Sequence, residues 1–420
     1  MSLPKNFAGL SFVVVINLAL QFLFQWYIII SFGAGAATDV FFGAMAIPQF
    51  ILLVLSSSLT MVLIPIIAKH SGNEFSNEAW NYFQGVGALF GAIAILLLVT
   101  AQWWAFWILP GFKGANAQLA VDLVRIQLIA MVFSALLSVL WAIHSAKENF
   151  LLIEITSIIA NIIAFAVLFF AIKAMNIYCV AWISAARILL QVLLLMKILG
   201  PYRKPAFTSP SNILVWKKLK PLIAGNIYYK TDMLVDRYLV SAGTPGQLTL
   251  LNLAQQLYGV GNTILSKIFV NTMMPGLSKT VASGDHKKYD QLLAKRLLLS
   301  FLCTAIIFMG IIFLGKWILV NIFSFKNFDI QSIYSLWRLL ILLVGYWICG
   351  LAGSVTSGAF YAKGDTVTPT KIGAVVFTLY VPIKIFCYFK YGITGLAISI
   401  SAYYIAAFLV QLFSLRKHFK

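Results

Sequence analysis

Acidic residues, cysteines and histidines are scarce in this sequence of 420 residues, which holds 12 Asp and Glu, 4 Cys and 4 His. Cys179, Cys303, Cys349 and Cys387 stand singly in apolar segments, so they are interpreted as small buried side chains rather than as disulfides or metal ligands. No catalytic constellation stands out, and the predicted outer loops, such as SAGTPGQ, are too short to hold a catalytic domain. The sequence therefore predicts neither an enzyme nor a metal site, and no resident cofactor is expected.

Charged residues of either sign are also rare. They make up 10% of the chain, against 61% hydrophobic residues, and the mean hydropathy is +0.92. The first apolar run is longer than the core of a signal peptide and is predicted to be retained. Because about 20 apolar residues cross the hydrocarbon core, the pattern predicts an all-α polytopic membrane protein with about twelve spans. They lie near residues 8–32, 40–68, 82–109, 122–146, 151–173, 176–198, 219–242, 248–274, 295–320, 334–362, 367–389 and 393–415.

The basic residues determine the predicted orientation. The net charge is +19, and most of the 31 lysines and arginines fall in segments predicted to lie on one side of the membrane. By the positive-inside rule that side is cytoplasmic and holds both termini. The excess of positive charge is then explained by topology and by contact with anionic lipid headgroups, and nucleic acid is not expected as a partner.

The chain resembles itself when it is shifted by half its length. LIPIIAKHSGN at residues 63–73 aligns with MMPGLSKTVASGD at 273–285, an offset of 210, and VAWISAA at 180–186 aligns with LAISISA at 396–402, an offset of 216. An even number of spans in each half predicts parallel repeats, an arrangement found in transporters whose two lobes rock around a central site. The predicted divisions are an N-lobe at 1–200, a basic cytoplasmic linker at 201–220 and a C-lobe at 221–420.

Four prolines, Pro48, Pro65, Pro275 and Pro382, lie within or at the ends of predicted spans. Each lacks a backbone N–H group and can bend its helix. In a transporter such bends can serve as hinges, whereas in a static bundle neighbouring helices simply satisfy the freed backbone groups. The sequence leaves both interpretations open.

The stretch GNIYYKTDMLVDRYLV, residues 225–240, places Lys230, Asp232, Asp236 and Arg237 inside the seventh predicted span. A charge at the middle of a bilayer costs about 2.5 to 3.5 kcal/mol on insertion scales. We therefore expect these four side chains to face water or one another rather than lipid.

Other spans contribute further charges. By residue count Lys267 and Lys384 lie deep in spans 8 and 11, whereas Arg125, Arg187 and Arg338 lie nearer to span ends, where long side chains can reach the headgroups. The deep charges predict a hydrated basic cavity between the lobes, and the alternative is a buried ion pair without a transport role. A cavity with an excess of positive charge favours an anionic headgroup such as phosphate or pyrophosphate.

The segment FGAGAATDVFFGAMAIPQF, residues 32–50, resembles the MurJ/MviN family of the MOP exporter superfamily. The likeness continues at LIPIIAKH (63–70), PGFKG (110–114), MMPGLSKTVASGDHKKYDQL (273–292) and VTPTKIG (367–373), and it covers nearly the whole chain. It implies two six-helix lobes that form a V around a central cationic cavity. It also implies a flippase of the bacterial cytoplasmic membrane that moves a polyprenyl-linked sugar precursor, typically lipid II, from the inner to the outer leaflet by alternating access.

The resemblance also assigns roles to single residues. It places Asp39 in the cavity, although Asp39 is equally suited to starting the helix of span 2. The family's cavity arginines in spans 1, 2 and 8 align with Leu18, Phe24, Leu52 and Gln256, none of which is cationic. The identity of the lipid-linked sugar is therefore left open.

Lys384 stands where some members of the family have an asparagine that helps to hold a cation. The resemblance then suggests the hypothesis that the Lys384 ammonium replaces this ion as the counter-charge of Asp232 or Asp236. The energy source is left open, with the membrane potential and a monovalent cation as the two candidates. The predicted substrate-binding residues are Asp39, Lys230, Asp232, Asp236, Arg237, Gln256, Lys267 and Lys384.

Two alternatives remain at the level of the sequence. One is a multidrug-type exporter of the same superfamily, which the basic cavity disfavours because like charge repels cationic cargo. The other is a transport-inactive membrane scaffold of envelope synthesis, which the charges retained in span 7 disfavour. The expected partners are a lipid-linked anionic sugar and membrane lipids, and the protein is expected to be a monomer.

Overall fold

A computed structural model describes residues 5–171, 176–204, 215–217, 219, 223, 227, 228, 230–324 and 327–417. This part of the chain is helical and contains no strand. Its contacts divide it into two compact units, Met1–Ala242 and Gly243–Lys420. The predicted all-α membrane class is confirmed.

The first unit contains nine helices within the described residues. They are α1 Lys5–Phe32, α2 Ala36–Ala44, α3 Ala46–Ile67, α4 Gly72–Val99, α5 Ala101–Ile108, α6 Ala115–Ala146, α7 Phe150–Ala171, α8 Ile177–Leu195 and α9 Asp232–Ser241, with a 3-10 turn at Met196–Leu199.

The second unit contains seven α-helices within the described residues. They are α10 Gln247–Ser266, α11 Met274–Ala282, α12 His286–Phe313, α13 Gly315–Phe323, α14 Ile330–Leu342, α15 Val344–Ala362 and α16 Val367–Lys417, with a π-helical segment at Lys267–Asn271.

Eight of the described helices are long and apolar enough to cross a membrane, or nine spans if the bent pair α14 and α15 counts as one. The long helix α16 holds both the eleventh and the twelfth predicted spans, because Gly392 interrupts it with a φ of 60°, a conformation that suits glycine. Predicted span 7 lies partly outside the described residues, and predicted span 8 corresponds to α10, which is richer in polar side chains. These two spans stay predictions.

Helix α6 forms the centre of the first unit. It packs against α2, α3, α4 and α8, while α7 packs against α1 and α8. Ala130, Ala135 and Ala142 are buried along α6, and such small side chains let neighbouring helices approach closely. In the second unit α15 packs against α12 and α16.

The second unit contains a sharp bend of 43° between α14 and α15, at Leu343. Ser401 fills the break: its hydroxyl donates to the Leu342 carbonyl at 2.6 Å and accepts from the Gly345 N–H group at 3.1 Å. A Cβ atom at Gly345 would lie 2.5 Å from the Ser401 carbonyl oxygen. The bend therefore has a specific cause, a side chain inserted into the helical hydrogen-bond ladder.

The predicted effect of Pro48 is visible as a break in span 2 at Met45, between α2 and α3. Proline has no N–H group for the carbonyl four residues earlier, which here is that of Ala44. Pro65 and Pro382 lie inside α3 and α16, and Pro275 lies in the first turn of α11. A hinge motion at any of them stays a prediction.

The loop PGFKG at 110–114 packs against the end of α9. A Cβ atom at Gly111 would lie only 1.8 Å from the Ser241 carbonyl oxygen, so a larger residue does not fit without movement of the backbone. This contact joins α9 to the first unit, and the contact-based division falls after Ala242. Much of the predicted linker at 201–220 lies outside the described residues, and the predicted lobe boundaries stay predictions.

Candidate functional site

The eight predicted site residues divide between the two units. The cavity that they were predicted to share between two lobes stays a prediction. The first unit holds Asp39, Lys230, Asp232, Asp236 and Arg237, and the second holds Gln256, Lys267 and Lys384.

The two cations of predicted span 7 contact the backbone of span 2. The Lys230 ammonium donates to the Leu53 carbonyl of α3 at 2.6 Å. The Arg237 guanidinium donates to the Phe42 carbonyl of α2, and its second terminal nitrogen donates to the Gln49 side-chain oxygen at 2.9 Å. Because Lys230 and Arg237 are seven residues apart, they lie two turns apart on one face of the span.

The position of Arg237 follows from the break in span 2. Phe42 lies in the last turn of α2, where carbonyl groups lack intrahelical donors and carry partial negative charge. A guanidinium at this point supplies both hydrogen-bond donors and a favourable charge. Part of the positive charge of span 7 is therefore used to hold α9 against the broken span 2.

Two of the predicted acidic residues in the first unit, Asp39 and Asp236, are more enclosed than the cations. Asp236 is buried, and Asp232 is half-buried at the first position of α9, where the helix dipole favours a negative charge. Asp39 is buried in the first turn of α2, but the hydroxyl that accepts from the Gly35 N–H group, at 3.0 Å, belongs to Thr38. The suggested helix-starting role is thus filled at least in part by Thr38.

In the second unit the three predicted residues lie in different environments. Gln256 is half-buried in α10, and Lys267 is exposed where the π-helical segment begins. Lys384 is fully buried in α16, with its ammonium nitrogen 5.5 Å from the centre of the Tyr403 ring. A buried ammonium requires compensation by charge, hydrogen bonds or aromatic faces. Its pairing with Asp232 or Asp236 stays a prediction.

A polar cluster inside the first unit was not anticipated from the sequence. Asn17 of α1 is buried, and its amide nitrogen donates to Glu154 at 2.7 Å. Its amide oxygen accepts from Ser157 at 2.9 Å, from Asn161 at 2.9 Å and from Gln21 at 3.2 Å. We call these five residues, together with Arg187, the Asn17 cluster.

Arg187 provides the cation of the Asn17 cluster. It lies in the middle of α8 rather than near a span end, and its guanidinium donates to the Asn161 side-chain oxygen at 2.7 Å. The guanidinium also lies over the Phe24 ring, 5.1 Å from the ring centre. The sequence left open whether Arg187 reaches toward the headgroups, and in the structure its guanidinium contacts side chains of α1 and α7 instead. Phe24 occupies one of the positions at which the resemblance implies an arginine.

A cavity of about 150 Å³ adjoins Arg187. Leu137 and Trp141 of α6 contribute apolar lining, and α1, α7 and α8 contribute the polar side chains. The lining residues are Gln21, Leu137, Trp141, Ser157, Ala160, Asn161, Arg187, Ile188 and Gln191. All of them belong to the first unit.

The Asn17 cluster carried only weak signals in the sequence. The polar residues follow helical spacing, since Asn17 and Gln21 are four positions apart in α1 and Glu154, Ser157 and Asn161 lie on one face of α7. Their pairing between helices, however, depends on how α1, α7 and α8 pack together. A further signal was the pair of opposite charges, Glu154 and Arg187, in consecutive spans. Among the residues that the structure describes, no group of three or more His, Cys, Asp or Glu side chains is arranged to hold a metal ion.

The chain is similar to known proteins along nearly all of its length. A family model described as "Lipid II flippase MurJ" matches residues 28–420. The lipid II flippase MurJ of Burkholderia cenocepacia is 24% identical over 364 residues, which cover 81% of this chain and 70% of that protein.

Solved structures share the fold. The structure of a lipid II flippase MurJ in an inward closed conformation matches with a TM-score of 0.83 and 21% identity, over 97% of this chain and 87% of that one. A multidrug resistance MATE family transporter of the MOP superfamily, in an inward-facing conformation, matches with a TM-score of 0.76 and 14% identity, over 97% of this chain and 98% of that one. Since the family model covers far more than half of the chain, this protein belongs to the MurJ family.

Proposed function

We propose that this protein is a flippase that moves a polyprenyl-diphosphate-linked sugar precursor, lipid II or a related envelope oligosaccharide, from the inner to the outer leaflet. The observation that carries the proposal is the family match over residues 28–420, whose description names a lipid II flippase. The Burkholderia cenocepacia relative carries the same name. The protein acts as a transporter and not as an enzyme.

The physical problem for such a protein is the head of its substrate. A diphosphate with attached sugars is charged and strongly hydrated, and moving it through hydrocarbon without help is prohibitive. Parallel repeats that rock around a central site give the head a polar route while the polyprenyl tail stays in lipid. Basic side chains held inside the membrane, such as Arg187 and Lys384, support an anionic head.

The proposed setting is the bacterial cytoplasmic membrane, with both termini in the cytoplasm and the protein acting as a monomer. Its partners are the lipid-linked sugar and membrane lipids, and no nucleic acid is involved. The membrane potential favours movement of an anion from the negative inside to the outside by about 2.3 kcal/mol per charge per 100 mV. Transport therefore needs no resident cofactor, and a monovalent cation is the alternative source of coupling.

The proposal is tested by reconstituting the full chain in lipid vesicles with fluorescent lipid II or a related polyprenyl-diphosphate sugar. Reduction of the label in the outer leaflet reports leaflet exchange. We expect exchange well above that of protein-free vesicles. Exchange should be faster when a potassium gradient with valinomycin sets up a membrane potential that drives the anion toward the positive side. Exchange equal to that of protein-free vesicles for every lipid-linked sugar would overturn the proposal.

A multidrug exporter is the second candidate, because a MATE family transporter shares the fold over 98% of its own chain. The half-buried Arg187 and the fully buried Lys384 oppose it, since cations inside the protein repel cationic compounds. Vesicles that accumulate ethidium through this protein but exchange no lipid-linked sugar would favour the exporter. Vesicles that neither accumulate ethidium nor exchange a lipid-linked sugar would favour a membrane scaffold without transport activity.

A further inference from the structure

We propose that the cavity beside Arg187 is a binding site for one oxyanion of the phosphate class. The site lies entirely within the first unit and uses none of the eight residues predicted from the sequence. It rests on three independent features: the unused donors of Arg187, the polar lining of the cavity, and the direction of the hydrogen bonds in the Asn17 cluster.

The first feature is the hydrogen-bonding capacity of Arg187. A guanidinium has five N–H donors arranged in a planar fork. Within the described part of the chain Arg187 donates one hydrogen bond, to Asn161, and its flat face lies over Phe24. Most of the fork is therefore available at the cavity. A planar fork matches the oxygen atoms of a phosphate or carboxylate in a bidentate contact.

The second feature is the cavity itself. The cavity has a volume of about 150 Å³, and its polar lining residues besides Arg187 are Gln21, Ser157, Asn161 and Gln191. This volume holds about five water molecules, which suits one phosphate group and excludes a sugar ring with its hydration. Trp141, which lines the cavity, is exposed, and the cavity is not fully enclosed.

The third feature is the placement of the negative charge. Glu154 does not line the cavity, and two side-chain amides separate it from Arg187. Asn161 accepts from Arg187 and donates to Asn17, and Asn17 donates to Glu154. Both amides thus turn an oxygen toward the cation and a nitrogen toward the anion. Glu154 orients the cluster through these amides while the guanidinium fork stays accessible to a second anion.

Two sources of phosphate chemistry fit the site. One is the diphosphate of the lipid-linked substrate, and this assignment rests on the proposed function. The other is inorganic phosphate or diphosphate from the cytoplasm. Because a phosphate and Arg187 form charge-assisted hydrogen bonds in both cases, the residues that bind it are the same and the experiment must separate the sources.

The test uses the purified full chain in detergent micelles and isothermal titration with two ligands, inorganic diphosphate and a short-chain polyprenyl diphosphate. We expect Arg187→Gln to weaken binding by about tenfold or more, the loss expected for a charge-assisted bidentate contact. Arg125→Gln is the matched control, since Arg125 lies in the same unit and already faces Asp122 at 3.7 Å. Equal affinity for both ligands indicates binding of phosphate alone, and affinity for the lipid only indicates the substrate as the source.

A second variant keeps the charge of Arg187 but reduces the volume of the cavity. Ile188→Phe adds volume at the cavity and leaves Arg187 in place, so we expect it to weaken binding as well. A third measurement needs no variant: bound diphosphate should protect Arg187 from phenylglyoxal, as read by peptide mass spectrometry. Unchanged affinity in well-folded Arg187→Gln, or modification of Arg187 at the same rate with and without ligand, would overturn the proposal.

The outcomes also separate this proposal from the proposed function. Diphosphate binding that depends on Arg187, in a protein that exchanges no lipid-linked sugar, would support the site and contradict the flippase. Leaflet exchange by the wild-type chain, together with unchanged binding by Arg187→Gln, would support the flippase and contradict the site.

Discussion

The two halves of the sequence are predicted to repeat one order of spans, yet the two units differ where polar groups enter the membrane. Helix α6 of the first unit runs without interruption over 32 residues, whereas the corresponding segment of the second unit is bent by 43° between α14 and α15. At the offset of 216 residues Ser401, which fills the bend, corresponds to Ala185. A single hydroxyl group thus accompanies the difference between a straight and a bent helix.

The buried polar residues differ in the same way. At the offset of 216, Asn161 and Arg187 of the Asn17 cluster correspond to Phe377 and Tyr403. The buried Lys384 of the second unit corresponds to Leu168, which is fully buried in the first unit. Positions that correspond at this offset therefore carry different buried polar residues, and function is determined by such residues rather than by the fold alone.

The largest effect is expected from a methyl group at the bend. Gly345→Ala places a Cβ atom 2.5 Å from the Ser401 carbonyl oxygen, and relief requires a shift of the main chain. We expect a loss of about 3 kcal/mol in the free energy of unfolding, measured by denaturant titration in micelles. Gly353→Ala is the matched control in the same helix, because nothing lies within 4 Å of its Cβ position. Equal stability of the two variants would show that the bend is not tightly packed.

A somewhat smaller effect is expected in the Asn17 cluster. Asn161→Leu removes the acceptor of Arg187 and a donor to Asn17, so polar groups are left unsatisfied inside the unit. We expect a loss of about 2 kcal/mol in the free energy of unfolding. Phe377→Leu, at the equivalent position of the second unit, should cost less because no hydrogen bond is lost. A larger loss of stability in Phe377→Leu than in Asn161→Leu would contradict the asymmetry between the units.

The hydroxyl group in the bend should contribute less again. Ser401→Ala removes the hydrogen bonds to the Leu342 carbonyl and the Gly345 N–H group. We expect a loss of about 1 kcal/mol in the free energy of unfolding, together with a lower unfolding temperature in micelles. A variant as stable as the wild-type chain would show that the bend does not depend on Ser401.

The smallest effect is expected from the reciprocal change in the first unit. The hydroxyl of Ala185→Ser can bond to a carbonyl of its own helix, as that of Ser184 does to Val180 at 2.8 Å. We therefore expect a change within about 0.5 kcal/mol in the free energy of unfolding. A large loss would show that α6 is sensitive to a hydroxyl group at this position and that its straightness depends on Ala185.

The sequence predicted the features that depend on composition and local pattern. These are the helical membrane class, the family and the break near Pro48. It did not predict the Asn17 cluster, because Asn17 and Asn161 lie 144 positions apart in different spans and only tertiary packing brings them together. It likewise did not predict that Arg237 caps α2, since that contact depends on the way α9 packs against a broken span.

The most direct test of the central claim is leaflet exchange of a polyprenyl-diphosphate sugar in vesicles that contain wild-type chain, Arg187→Gln or Arg125→Gln. The claim is that an anionic head is handled by a cation inside the first unit. We predict rapid exchange by the wild-type chain and by Arg125→Gln, and exchange about tenfold slower or worse by Arg187→Gln. Equal exchange by all three proteins, or none above protein-free vesicles, would contradict the account.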